Sequence, residues 1–135
     1  MKTINIKGKE YVMVVDRVKE FLSSNKNGSI ETTISPLSTE KRAVVSAKVT
    51  LDNGRVFTGH SQAEYGSGNM GGVALEVAET SAVGRALGFA GIGLLDGIAS
   101  ADEMRKVGKR QTYNDKNKQD KENGADPLLD NDDVI

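Results

Sequence analysis

The sequence predicts an α+β fold. A small antiparallel sheet of three to four strands, with a β-hairpin, is covered by one long C-terminal helix and a shorter N-terminal helix; a disordered acidic tail follows. Three observations predict it. Residues 43–51 alternate, with Val45, Ala47, Val49 and Leu51 on one side and Val44, Ser46, Lys48 and Thr50 on the other. Asp52-Asn53-Gly54 follows directly, a hairpin signal because Asn-Gly accepts the positive φ angles of a tight turn. Residues 74–93, ALEVAETSAVGRALGFAGIG, then read as a helix rich in Ala, Ser and Gly with one arginine, Arg85, inside it.

The remaining elements follow along the chain. Residues 1–10 hold a short strand around Ile4 and Ile6. From Tyr11, the residues Val14, Val15, Val18, Phe21 and Leu22 fall at helical spacing, with Asp16, Arg17, Lys19 and Glu20 on the other side. Ser, Asn and Gly end that helix in 23–28, and residues 29–35 are β-branched and alternating, hence a strand. Residues 36–41 are a polar loop, and residues 55–65 return from the hairpin. A two-residue turn at Asn53-Gly54 sets Leu51 opposite Val56 and Lys48 on the face of Phe57. Residues 66–72 form a Gly-rich loop. Residues 99–107 form a short helix with Ser100 as N-cap and Glu103 closing a capping box. Residues 1–107 are read as the folded domain and 108–135, polar and without periodicity, as a disordered acidic tail.

Composition excludes several chemistries. The chain has no Cys and one His, which removes disulfides, thiolate metal sites, Cys nucleophiles and His-rich metal sites. No cofactor or metal is expected. The N-terminus lacks an apolar leader segment and no apolar run is long enough to span a bilayer, so a cytoplasmic chain with no membrane partner is expected. The net charge of −1 hides an asymmetry. Residues 1–110 carry 15 Lys and Arg against 12 Asp and Glu, whereas residues 111–135 carry 3 against 7. A basic body with an acidic end suits a domain that binds polyanions, and equally an ordinary solvated surface.

Gly66-Ser67-Gly68-Asn69-Met70-Gly71 matches G-x-G-x-x-G, with Asp96 placed as a ribose-binding acid would be. The preceding strand is polar and alternating, unlike the apolar central strand of a dinucleotide-binding unit. The loop is therefore a plain connector, or a set of amides for a phosphate at a helix N-terminus. His60 has no recognisable nucleophile or metal ligand by spacing and reads as a strand histidine beside the core. Glu76 and Glu79 suit the helix dipole. The residues that could grip a nucleic acid are the cations Arg17, Lys41, Arg42, Lys48, Arg55 and Arg85, with the aromatic residues Tyr11, Phe57 and Tyr65. Charges meet phosphates and rings stack bases in single-strand binders.

The order of VTLDNG (49–54), RVFTGHSQAEYGSG (55–68) and AETSAVGRALGFAG (78–91), after Tyr11, Arg17-Val18 and Asn27-Gly28, resembles the Rad fifty-two type of single-strand annealing protein over about residues 10–92. The chain also resembles small phage-encoded DNA-binding proteins found among recombination genes. The resemblance implies a β-β-β-α core that assembles into a homo-oligomeric ring or filament. It also implies a non-enzymatic role in phage DNA recombination or replication, with single-stranded DNA in a positive groove at the long helix and the base of the hairpin. Copies would pack side by side through the small-residue helix. Arg85 matches a groove arginine, and Arg17 matches a basic residue of the upstream helix across a one-residue gap. Gly84 and Gly88 stand where better-known members are basic. The end of the chain, Asp130, Asp132, Asp133, Val134 and Ile135, is similar to the acidic tip of bacterial single-stranded-DNA-binding proteins, with Val-Ile in place of Pro-Phe. That likeness implies docking of replication or recombination proteins through the tail. Two other functions stay open: a nucleotide-binding enzyme that uses Gly66–Gly71, and an interaction module without DNA binding.

Overall fold

A computed structural model describes residues 1–66, 72–95 and 97–105. Over these residues the fold is α+β, with a two-stranded and a three-stranded antiparallel sheet and three helical segments. The acidic tail, with Asp130, Asp132, Asp133, Val134 and Ile135, lies outside the described residues, as do Gly68, Gly71 and Asp96.

The N-terminal segment holds two strands where the sequence suggested one. Strand β1 (Thr3–Ile6) pairs with β2 (Lys9–Val12) through a two-residue turn. Lys7 and Gly8 both have positive φ, 51° and 84°, the geometry of a type I′ turn. Helix α1 therefore starts at Val14, not Tyr11, and runs to Ser24. Tyr11 and Val12 are buried from the strand side instead.

The main sheet runs β3 (Ser29–Ile34), β4 (Arg42–Thr50) and β5 (Val56–Glu64), in that order and wholly antiparallel. The hairpin between β4 and β5 closes over three residues, Asp52-Asn53-Gly54, because Leu51 and Arg55 still share a backbone hydrogen bond of 2.9 Å. Gly54 takes φ +86° to make that closure. The register is thus Val49 opposite Phe57 and Lys48 opposite Thr58. One residue of slip reverses every side chain. Lys48 and Phe57 lie on opposite faces, contrary to the expectation of a two-residue turn.

Helix α2 (Ala74–Phe89) covers one face of the sheet, over Ala43, Val45, Ala47, Val49 and Ala63. It crosses the cross-strand row Thr32, Ala47, Gly59: Glu79 accepts a 2.8 Å hydrogen bond from Thr32, while Gly59 lies against the Ala82 and Ala86 backbone. A Cβ on Gly59 would come within 2.5 Å of Ala82 O and Ala86 N, so only glycine lets the helix sit this low. The opposite side of α2 is covered by α1. A Cβ on Gly84 would lie 2.6 Å from Val14 Cγ2, and one on Gly88 would lie 2.9 Å from Arg17 Nη1. The helix is therefore buried on two sides, which explains why it shows no apolar stripe.

This arrangement corrects two expectations. The small residues of α2 face neighbours in the same chain, so they form no stripe for packing copies side by side. Positions 84 and 88 point inward, so no basic residue there could line a groove. Residues 101–105 are helical again after α2, inside the short helix expected over 99–107, with Ser100 Oγ accepting the Glu103 N–H at 3.3 Å.

Candidate nucleic-acid interface

Arg17, a surface cation by its sequence context, is in the core. It lies three residues after Val14 and four before Phe21, so helical spacing carries it to the buried face of α1. It is 1% exposed. Its Nη1 donates to Gly84 O at 2.7 Å and Ile98 O at 2.9 Å, and its Nη2 donates to Gly93 O at 3.2 Å and Ala99 O at 3.5 Å. Desolvation lowers its pKa, against the opposing pull of Glu103 and then Asp102; an arginine stays charged even so. Arg17 ties α1, α2 and the 93–99 loop together and cannot reach a phosphate.

Asp102 completes the same junction. Its carboxylate accepts the Val14 N–H at 2.8 Å, capping α1, whose own N-cap residue, Met13, offers no side-chain acceptor. The acid stands 88 residues away in sequence, so no local motif announces it.

The remaining sequence-derived cations fall into separate places. Arg42 and Lys48 share the face of the sheet that α2 leaves open. Lys48 meets Glu31 across β3 at 3.8 Å, an exposed pair of small energetic weight. Arg42 donates to Gln62 Oε1 at 3.5 Å. No Phe or Tyr ring shares that face among the described residues: Phe57 and Tyr65 both belong to the helix side of β5. Among the described residues, cations and Phe or Tyr rings therefore do not interleave along that sheet face.

Rings and cations do meet elsewhere. At the hairpin, Arg55 Cζ lies 5.2 Å from the centroid of the half-buried Phe57 ring. At the end of α2, Arg85 Cζ lies 5.7 Å from the centroid of Phe89, a ring that is 47% exposed. Arg85 also pairs with Glu103 at 3.4 Å, so it is shared between the surface and the 101–105 helix. Lys41, Arg42 and Tyr65 line one cleft of about 720 Å³ with Thr39, Glu40 and Glu64. Tyr11 and Phe21 are buried. Phe89 is not among the rings that sequence reasoning singles out. Its place four residues after Arg85 is the available signal, since i and i+4 share a helix face.

His60 has a partner after all. Strand register sets it opposite Ser46, and Ser46 Oγ lies 3.0 Å from its Nδ1. The pair sits exposed on the open sheet face and reads as a cross-strand hydrogen bond. Among the described residues no group of His, Asp and Glu could hold a metal ion. No helix among them is long and apolar enough to cross a membrane. The strand before the Gly66 loop is an edge strand of an antiparallel sheet, not the central parallel strand of a dinucleotide-binding unit. No protein-family model, no curated protein and no solved structure matches this chain.

Proposed function

We propose that this chain is a non-enzymatic single-stranded-DNA-binding protein that acts in DNA recombination or replication. One observation carries the reading. Five Phe and Tyr side chains belong to the described residues; Tyr11 and Phe21 are buried, and each of the three that reach the surface shares its site with a cation. Phe57 has Arg55, Phe89 has Arg85, and Tyr65 has Lys41 and Arg42 in its cleft. A flat ring beside a fixed positive charge suits a base and its phosphate, without reading sequence.

The family resemblance extends the proposal to strand annealing and to a phage recombination system. Copies arrayed along a strand belong to the same proposal, through faces other than the two occupied sides of α2. The tail, with Asp130, Asp132, Asp133, Val134 and Ile135, would dock partner proteins.

An electrophoretic shift assay with a labelled single strand tests this. The shift should persist under excess unlabelled duplex. Arg55→Ala removes an exposed cation and should weaken binding several-fold, with the thermal melt unchanged. A single strand that never shifts, or one displaced equally well by duplex, contradicts the proposal. Thermal stabilisation by a free nucleotide, without any shift, would favour the enzyme reading.

A further inference from the structure

The cleft at the distal end of the β4–β5 ladder is built more firmly than a surface fold between loops. Its floor is tied by the Tyr65 N–H, which donates to Lys41 O at 2.8 Å. The turn that carries its cations is closed at both ends: Thr39 N donates to Arg42 O at 2.8 Å and Arg42 N donates to Thr39 O at 3.3 Å. Thr39 Oγ1 also accepts the Lys41 N–H at 3.1 Å. Tyr65 packs against the apolar core and also lines the cleft.

We propose that this cleft receives one nucleotide unit of a bound single strand, base against Tyr65 and phosphodiester against Lys41 and Arg42. This rests on the proposed DNA-binding function and assigns it a defined subsite. The charge of the lining selects the ligand. Two cations and two carboxylates, Glu40 and Glu64, line the cleft, so it carries no surplus positive charge for a triphosphate. A phosphodiester brings a single charge, and the carboxylates can accept hydrogen bonds from the exocyclic amines of a base. A ring packed partly against the core loses little freedom when a base stacks on it.

Fluorescence anisotropy with a labelled oligonucleotide, and with an abasic strand of the same length, tests the subsite. Tyr65→Leu keeps apolar bulk but loses the π-face, and should weaken binding to the normal strand about ten-fold. Tyr65→Phe should restore it. On the abasic strand the three proteins should bind alike. The double variant Lys41→Gln, Arg42→Gln, which alters exposed side chains, should flatten the log–log salt slope by about 0.7 for each phosphate no longer neutralised. ATP should not displace the strand. Wild-type affinity in Tyr65→Leu and in the double variant would overturn the subsite and leave DNA binding intact. Competition by ATP that depends on Tyr65 would overturn it in favour of a free nucleotide. A wild-type chain that binds neither strand would remove both the subsite and the function it rests on.

Discussion

Arg17 shows how one side chain can be misread by type and read correctly by position. A charged residue in a polar run suggests solvent, yet its offsets from Val14 and Phe21 place it on the buried side of α1. There it answers carbonyl oxygens from three parts of the chain, as a planar fork of donors can and a lysine cannot. Arg17→Ala should cost about 3–5 kcal/mol in urea unfolding, because buried carbonyls lose their donors. Arg17→Lys should recover only part of that. A loss below about 1 kcal/mol would show that the junction is held otherwise. Asp102→Ala tests the distant cap: a loss of about 1 kcal/mol, seen as a lower unfolding midpoint with an unchanged slope, is expected. Neither role is legible in sequence, because each depends on a partner remote along the chain.

At the scale of elements, alternation and turn signals locate β3, β4 and β5, and α2 is found by its Ala-rich run despite Gly84 and Gly88. The register of the hairpin is not legible. Asn53-Gly54 fits a two-residue turn as well as the three-residue closure that forms, and the difference moves Lys48 to the other face. The N-terminal hairpin escapes sequence reading because Lys7, a residue that rarely takes positive φ, occupies its turn. The small residues of α2 are plain in the sequence, but not what they approach. Gly59 answers that on the sheet side and Gly84 on the α1 side. Glycine inside a helix costs about 1 kcal/mol against alanine. Gly84→Ala should nevertheless destabilise, since the new methyl meets Val14. Gly59→Ala should cost more, about 1–3 kcal/mol, because its methyl meets backbone that cannot rotate away. Stabilisation by either substitution would show that α2 packs less closely than described.

For the whole molecule, charge is less one-sided than the count over residues 1–110 suggests. Arg17 is withdrawn into the core, Lys48 faces Glu31, and Arg85 faces Glu103. Among the described residues, the cations that meet rings do so at separate places rather than along one groove on α2. Sequence reasoning names most of their residues, Lys41, Arg42, Arg55, Phe57, Tyr65 and Arg85, but groups them by type. Only strand register and helix packing decide which of them meet. Residues 111–135 carry 7 acids against 3 bases, so removing them should tighten binding to a single strand at low salt and matter less as salt rises. Equal affinity with and without the segment would show that it does not compete for the cations. The most direct measurement is an anisotropy titration of a labelled single-stranded oligonucleotide with the full chain across a series of salt concentrations. Saturable binding at low salt, with the logarithm of affinity falling linearly against the logarithm of salt concentration, is the predicted result. No rise in anisotropy in the most dilute buffer, with the protein folded, would contradict the account.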